Sequence, residues 1–332
     1  MKTFYWLVKR ELWEYRGAFV RAPVIAGAIF VLLNLMAIIT AEVLKIGPLA
    51  HTGNSTTNYG IGGANINLML MHMNAGDRAD VSSVLSVMMY SVAGVLGIVL
   101  GITVFFYCLG TLYDERRDRS ILFWKSLPVS DTSTVLSKVV TATVVAPAIT
   151  ALVSIALSLV LLVMYMAALS FHGVSAWQVL SLASPLSVAA HLFVAIPLYV
   201  LWALPTVGWL LLCSAFARGK PFVWGVALPI AAYFTLNWFG AIDALTRALG
   251  RPPGWFWNSV VNRVLFGVFP GGWWSTSGLN IGEDRSAGQL LEAMDLPHAY
   301  AALATPSMWI GVAVGLAMIG AAVHYRRVRN EN

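Results

Sequence analysis

Long stretches without Asp, Glu, Lys or Arg divide the chain, at 22–41, 81–113, 139–217, 221–242 and 296–325. A helix that crosses a membrane core of roughly 30 Å needs about 20 apolar residues. The third stretch is long enough for two such helices, and polar, glycine and proline residues between Phe171 and Pro185 divide it. The pattern therefore predicts six spanning helices, at about 22–44, 84–112, 139–168, 191–217, 222–241 and 304–325.

Composition narrows the class of protein further. Of 332 residues, 58% are hydrophobic and only 11% are charged, and the mean hydropathy is +0.75. Soluble domains carry about 25% charged residues, so this composition excludes an ordinary soluble enzyme. We therefore expect an all-α polytopic membrane protein, with residues 1–332 forming a single transmembrane domain.

The positive charges lie unevenly on the two sides of these six helices. Fifteen of the 21 Lys and Arg residues fall at the two termini, in the 113–138 loop and in the short turn at Arg218–Lys220. Cytoplasmic loops hold the positive excess. Both termini are therefore expected in the cytoplasm, with segments 45–83 and 242–303 outside.

The first 21 residues carry apolar side chains at helical spacing, namely Phe4, Val8, Leu12, Tyr15 and Phe19. This pattern favours an amphipathic helix in the cytoplasmic membrane interface, with Trp6 and Trp13 at headgroup depth. A plain juxtamembrane anchor is the alternative, and the sequence alone leaves both open.

The outer segment 242–303 contains an apolar but broken stretch. Residues 264–269 are followed by Pro270-Gly271-Gly272 and then by Trp273-Trp274, which is too short to cross the membrane. Residues 264–282 are thus expected to form either a re-entrant hairpin or an interfacial aromatic loop. Four residues are candidates for a pathway or gate: Asn34, which interrupts the first span, and Phe269, Trp273 and Trp274.

The loop between the second and third spans is the most informative segment. A charged cluster, Asp114 to Arg119, is followed by Ile121-Leu122-Phe123-Trp124, then by Leu127-Pro128, and then by the polar run 130–133, which predicts a helix cap. An apolar-aromatic patch flanked by charges is typical of a protein docking surface. Insertion of Phe123 and Trp124 into the headgroup layer is the alternative.

This segment resembles the permease subunits of type-2 ATP-binding-cassette (ABC) exporters. Its acidic-Glu-Arg cluster, short apolar run, Leu-Pro, polar cap and opening Lys138 carry the resemblance. The N-terminal helix, the six spans and the broken hairpin before the last span are similar in architecture. One departure is Arg119-Ser120, where many members have Gly-Thr.

The resemblance implies that 113–130 contains a coupling helix that docks on a cytoplasmic ATPase. Glu115, Arg116 and Arg119 would make polar contacts with that subunit, and Leu122, Phe123 and Trp124 would fill its groove. Two ATPase subunits carrying ATP and Mg would join this chain and a second permease, either a copy or a relative, in the plasma (bacterial inner) membrane. The expected function is export of a hydrophobic or amphipathic substrate.

The chain itself carries no G-x-x-x-x-G-K-[ST] motif, so ATP hydrolysis is expected on the partner and no cofactor or metal on this chain. It also lacks H-E-x-x-H and G-x-S-x-G. Two other functions stay open: an integral-membrane enzyme acting on lipid, and a membrane anchor or sensor for a cytoplasmic complex.

Overall fold

A computed structural model describes residues 2–44, 74–119, 129–171, 175–272 and 296–328. These residues form helices and connecting turns, with no strand among them. Five helices are long and apolar enough to cross a membrane: Gly17–Thr40, Val81–Arg117, Asp131–Ser170, Ala176–Phe216 and Pro306–Val328. The all-helical class and the apolar spanning helices agree with the sequence pattern.

A separate helix precedes the first span. Helix α1 (Lys2–Glu14) is followed by a π-helical turn (Gly17–Arg21) and then by α2 (Ala22–Leu44). Trp6 and Trp13 are 60% and 63% exposed on α1. Their exposure leaves these rings available to a membrane interface, and the interfacial position of α1 stays a prediction.

The central helices are longer than the apolar stretches that predicted them. Helix α3 runs from Ala75 to Arg117, and α4 (Asp131–Val140) continues through a π-helical turn into α5 (Ala146–Ser170). The Ser130 hydroxyl accepts a hydrogen bond from the Ser133 N–H at 3.1 Å, which confirms the predicted cap. Short α6 (Ala176–Ala183) and long α7 (Pro185–Phe216) follow.

The fifth predicted span, 222–241, is broken. A helical segment ends with α8 (Leu228–Trp238), and the chain bends by 79° before α9 (Ala241–Ala248). Gly240 makes the bend with φ +67°, a conformation that glycine adopts without strain. The 16 residues of Val223–Trp238 reach only about 24 Å, so this helix is shorter than a full membrane core.

A helix and turn precede the last span. The π-helical turn Trp257–Val261 leads into α10 (Asn262–Phe266), and α11 (Leu296–Ala301) and α12 (Pro306–Val328) close the described chain. Helix α12 packs closely along α7, because a Cβ on Gly208 would lie 2.5 Å from the Gly315 carbonyl oxygen. Residues 45–73, which make up most of the predicted outer segment 45–83, lie outside the described residues.

Candidate functional site

Six charged side chains meet where α1, α3, α4 and α12 converge. We call them the charge cluster, and its members are Arg10, Glu11, Glu115, Asp131, Lys138 and Arg326. The three carboxylates and three cations balance in formal charge. The cluster lies at the two ends of the 113–138 loop, since α3 ends at Arg117 and α4 begins at Asp131.

Each cation of the charge cluster bridges two carboxylates of the cluster. Lys138 Nζ lies 2.9 Å from Glu11 Oε1 and 2.9 Å from Glu115 Oε1. Arg10 lies 2.6 Å from Glu11 and 3.6 Å from Glu115, and it also lies 3.8 Å from Glu14, beside the cluster. Arg326 lies 2.7 Å from Glu115 and 3.0 Å from Asp131. The pairs therefore form one connected network rather than separate ion pairs.

The centre of the network is buried. Glu11 and Lys138 are 0% and 1% exposed, and hydroxyl groups complete their hydrogen bonding. Tyr107 donates to Glu11 Oε2 at 2.8 Å, and Lys138 donates to Thr111 Oγ1 at 2.8 Å. A buried charge is tolerated when it is paired and hydrogen-bonded, and removal of one partner is strongly destabilising. This end of the bundle is thus held by buried polar contacts in addition to apolar ones, which include Leu112, Val135 and Val139.

The pKa values of two groups beside the network are raised: Glu14 at the end of α1, and Tyr15 directly after it. Burial, reinforced by the Glu11 carboxylate, raises the pKa of Glu14 above its ordinary value. Burial raises the pKa of Tyr15 to about 12, so its phenol is neutral at physiological pH. Glu14 is the more exposed glutamate of α1, with 56% of its side chain accessible.

Arg116 joins the end of α3 to the end of α7 by hydrogen bonds. Its guanidinium donates to the carbonyl oxygens of Ser214 and Ala217, while the Ser214 hydroxyl accepts from the backbone N–H of Leu112. The base of the 113–138 loop is therefore joined to a fifth helix as well.

Arg119, two residues after the end of α3, has a left-handed conformation. Its φ is 56°, which glycine favours over residues with a side chain, and its N–H donates to the Arg116 carbonyl oxygen at 3.2 Å. Glycine would adopt this conformation with less strain than arginine does.

The remaining predicted docking residues cannot be placed. Leu122, Phe123 and Trp124 fall within 120–128, outside the described residues. Glu115 and Arg116 make contacts inside the chain, as described above, and their contacts with an ATPase stay a prediction.

The predicted gate residues do not lie together in one site. Asn34 accepts a hydrogen bond from the Tyr165 hydroxyl at 2.9 Å and so joins α2 to α5. Phe269 lies against α3, where a Cβ on Gly101 would be 2.3 Å from its ring. Trp273 and Trp274 lie outside the described residues. A cavity among α3, α5, α7 and residues 269–271 is lined by Phe269 and not by Asn34.

The turn that contains Phe269 lies between α3 and α7. Pro270 packs on Gly97 of α3, and the Tyr199 hydroxyl of α7 donates to the Val268 carbonyl oxygen at 2.9 Å. Gly97 and Tyr199 lie in the interior of long apolar helices. The tip of this segment, residues 267–272, thus contacts the middle of both helices rather than their ends.

Arg263 holds this segment to the start of α12. Its side chain is 8% exposed, donates to the carbonyl oxygens of Ser307 and Met308, and lies 4.5 Å from the Trp202 ring centre. Backbone dipoles and an aromatic face therefore stabilise this buried cation.

Sequence patterns predicted the 113–138 loop but missed the pairing of Glu11 and Arg326 with its ends. Glu11 follows Leu7 by one helical turn on the inward face of α1, and a glutamate on a buried helical face requires a cation. That face is defined by the packing of α1, so the sequence alone did not mark Glu11 or its partner Lys138.

Within the described part of the chain, no three His, Cys, Asp or Glu side chains are grouped to hold a metal ion. Comparison of the chain with models of protein families, with curated proteins and with solved structures finds no match.

Proposed function

We propose that this chain is the membrane-spanning permease subunit of a type-2 ABC exporter. In this proposal the 113–138 loop docks on a separate cytoplasmic ATPase, which supplies ATP and Mg, and both termini are cytoplasmic. Two ATPase subunits and a second permease, a copy or a relative, complete the assembly in the plasma membrane. The cargo is hydrophobic or amphipathic.

The observation that carries the proposal is the charge cluster at the base of the loop. A loop that only connects two spans does not require its ends to be joined by buried ion pairs. Here Arg326 pairs with Glu115 at one end of the loop and with Asp131 at the other. A force applied to the loop would therefore reach α3, α4 and α12 together, as a coupling element requires.

Two further features support the same function. Arg119 has the left-handed backbone that glycine would supply at this position in the similar exporters. The segment before the last span contacts the middle of α3 and α7, which favours a re-entrant hairpin over an interfacial loop. Non-helical backbone at membrane depth is tolerated where protein surrounds it.

Within this proposal, Glu115 and Arg116 stabilise the start of the loop through their contacts with other helices of the same chain. Arg119, Leu122, Phe123 and Trp124 then provide the surface for the ATPase. Aromatic and leucine side chains between charged residues would bury an apolar centre inside a polar rim.

The test is co-purification of the chain from its native host in mild detergent, followed by identification of bound chains and an ATP hydrolysis assay. The F123A/W124A variant should lose a Walker-motif ATPase that the unaltered chain retains. The matched control is W238A/F239A, a second adjacent aromatic pair, whose residues are 88% and 77% exposed at the bend after α8. This control should retain the ATPase.

Retention of the ATPase by F123A/W124A would refute docking through the loop. Recovery of the chain alone, with a lipid-modifying activity that needs no ATP, would favour the membrane enzyme. Recovery of a cytoplasmic complex that drives no transport into vesicles would favour the anchor or sensor.

A further inference from the structure

Aromatic and basic side chains form one stripe on α1 and the residues directly after it. Trp6, Lys9, Trp13 and Arg16 recur at intervals of three and four residues, and we call these four residues the outer stripe. Helical hydrogen bonding continues past Glu14, since the Tyr15 N–H donates to the Glu11 carbonyl oxygen at 3.0 Å. At 3.6 residues per turn, the four positions fall within about 80° of one another around the helix axis. Trp6 and Trp13 are 60% and 63% exposed, and Arg16 is exposed as well.

The opposite face of α1 is held by the rest of the chain. Leu7 is 6% exposed and Glu11 is 0% exposed. The Glu11 carboxylate accepts from Lys138 at 2.9 Å and from the Tyr107 hydroxyl at 2.8 Å. Because these partners lie on two other helices, they fix the rotation of α1 about its own axis. The outer stripe is therefore directed away from the bundle.

The outer stripe is positively charged and contains no carboxylate. Its cations are Lys9 and Arg16, and the acidic residues among the first 20 are Glu11 and Glu14. Glu11 is buried on the opposite face. Glu14 lies 3.8 Å from Arg10, at least about 80° around the helix from the nearest member of the stripe. The stripe is thus complementary to a negatively charged surface.

One indole ring of the stripe lies beside a cation. Lys9 Nζ is 4.7 Å from the centre of the Trp6 ring, a distance at which the ring attracts the ammonium group. The pair offers an apolar surface and a positive charge to the same ligand. A phospholipid requires both, because tryptophan is favoured at the membrane–water interface and basic side chains attract anionic headgroups.

The first span brings the outer stripe to a membrane surface. The apolar helix Gly17–Thr40 begins directly after Arg16. At a rise of 1.5 Å per residue, Trp6 lies within about 15 Å of Arg16 along the helix. Lipid headgroups surround the end of a span, whereas an acidic protein would have to reach this face beside the bilayer. The position of the stripe therefore favours lipid as its partner.

We propose that the outer stripe binds anionic phospholipid headgroups in the leaflet where the first span begins. Lys9 and Arg16 contact phosphate oxygens, and Trp6 and Trp13 lie at the level of the lipid carbonyl groups. Binding requires only this chain, so the inference does not depend on an ATPase or on export. Because Glu11 lies on the other face of the same helix, bound lipid also holds α1 in place against the charge cluster.

The experiment is photolabelling of the full chain, without any ATPase, in phosphatidylcholine nanodiscs. The discs contain a small fraction of either phosphatidylglycerol or phosphatidylcholine with a diazirine beside the headgroup, and labelled peptides are mapped by mass spectrometry. Each basic side chain near an anionic surface contributes about a fivefold preference, so peptides within 2–16 should favour phosphatidylglycerol about 25-fold. High salt should reduce this preference through screening.

Three double variants test the contribution of charge. K9Q/R16Q should be labelled equally by the two lipids, and it should unfold in SDS as the unaltered chain does because both side chains lie on the outward face. K9R/R16K retains both charges and should keep the preference. R117Q/R119Q is the matched control, since it removes two exposed cations that flank Asp118 at the end of α3, and it should also keep the preference.

Equal labelling of 2–16 by the two lipids in the unaltered chain would overturn the proposal. An unchanged preference in K9Q/R16Q, or its loss in K9R/R16K or R117Q/R119Q, would do the same. Earlier unfolding of K9Q/R16Q would contradict the outward placement of the two cations. Absence of labelling by either lipid would also overturn the proposal and assign the outer stripe to a protein partner.

Discussion

Replacement of Lys138 by Met tests the charge cluster at its centre. Lys138 is 1% exposed and its Nζ lies within 2.9 Å of two carboxylates and of the Thr111 hydroxyl. Methionine keeps an unbranched apolar side chain in the same space but removes the charge and the donors. The variant should therefore leave Glu11 and Glu115 short of one cation without opening a large void.

The loss of stability expected for K138M depends on the ion-pair partners that Glu11 and Glu115 keep. Removal of one partner of a buried ion pair costs about 3–5 kcal/mol, mostly because the other charge is left buried. Here Glu11 keeps Arg10 at 2.6 Å, and Glu115 keeps Arg326 at 2.7 Å. Because both carboxylates retain a cation, we expect K138M to cost about 3 kcal/mol, the lower end of that range.

A second substitution separates charge pairing from packing. E11Q alone should destabilise the chain because it leaves Lys138 with only the Glu115 carboxylate. Combined with K138M, however, it removes the excess negative charge. The double variant should be less destabilised than the sum of the two single variants by about 1–2 kcal/mol.

The assay is unfolding of the detergent-solubilised chain by increasing SDS, followed by far-UV circular dichroism. K220M is the control, because it makes the same substitution at an exposed lysine outside the charge cluster. The reasoning is refuted if K138M unfolds within about 0.5 kcal/mol of K220M, or if the substitutions at positions 138 and 11 are additive.

Four further predictions concern single positions. R119G should raise stability by about 1 kcal/mol in the same unfolding assay, because φ is 56° there, and a loss of stability would contradict the left-handed turn. The leucine of G101L should overlap the Phe269 ring and displace the tip 267–272. A cysteine placed in that tip should then react with a water-soluble maleimide. Unchanged protection of the cysteine would argue against the close contact. Y165F should cost about 0.6–1 kcal/mol in SDS unfolding through loss of the bond to Asn34, and no change would mean that the bond does not form. Burial, and then Glu11, raise the pKa of Glu14 in the folded chain, so its ionisation destabilises the fold as pH rises through that pKa. E14Q should therefore stabilise the chain at pH 7 and have no effect on stability at a pH below 4.5, the ordinary pKa. An equal effect at both pH values would contradict the shift.

Apolar length predicted which helices exist better than it predicted where they end. The first predicted span, 22–44, coincides with α2, whereas 84–112 underestimates α3, which extends from Ala75 to Arg117. At the C-terminal end of α3 the charged residues Glu115 and Arg116 continue the helix, because their side chains find partners there. Hydropathy carries no information about such partners. The break after Trp238 depends on one glycine with positive φ, which no apolar pattern marks.

The charge cluster could not be predicted from spacing, since its pairs join residues far apart in the chain. Glu115 and Arg326 are separated by 211 positions, and Glu11 and Lys138 by 127. Local patterns identify a charge near the end of a span, but only the packing of α1 and α12 against α4 decides its partner. The cavity lined by Phe269 depends in the same way on the segment 267–272, whose contacts with α3 are set by the fold rather than by its own sequence.

The arrangement of the cluster limits how the loop ends can move. Because Arg326 pairs with both Glu115 and Asp131, the end of α3 and the start of α4 cannot separate without loss of a buried ion pair. Lys138 adds α1 to the same unit through Glu11. In contrast, α8 buries none of its residues within the described chain, so no comparable contact fixes it to the cluster. A displacement at the loop should therefore move α1, α3, α4 and α12 as one body relative to α8. In the proposed exporter, the angle between α8 and that body is the quantity that closure of the ATPase would change.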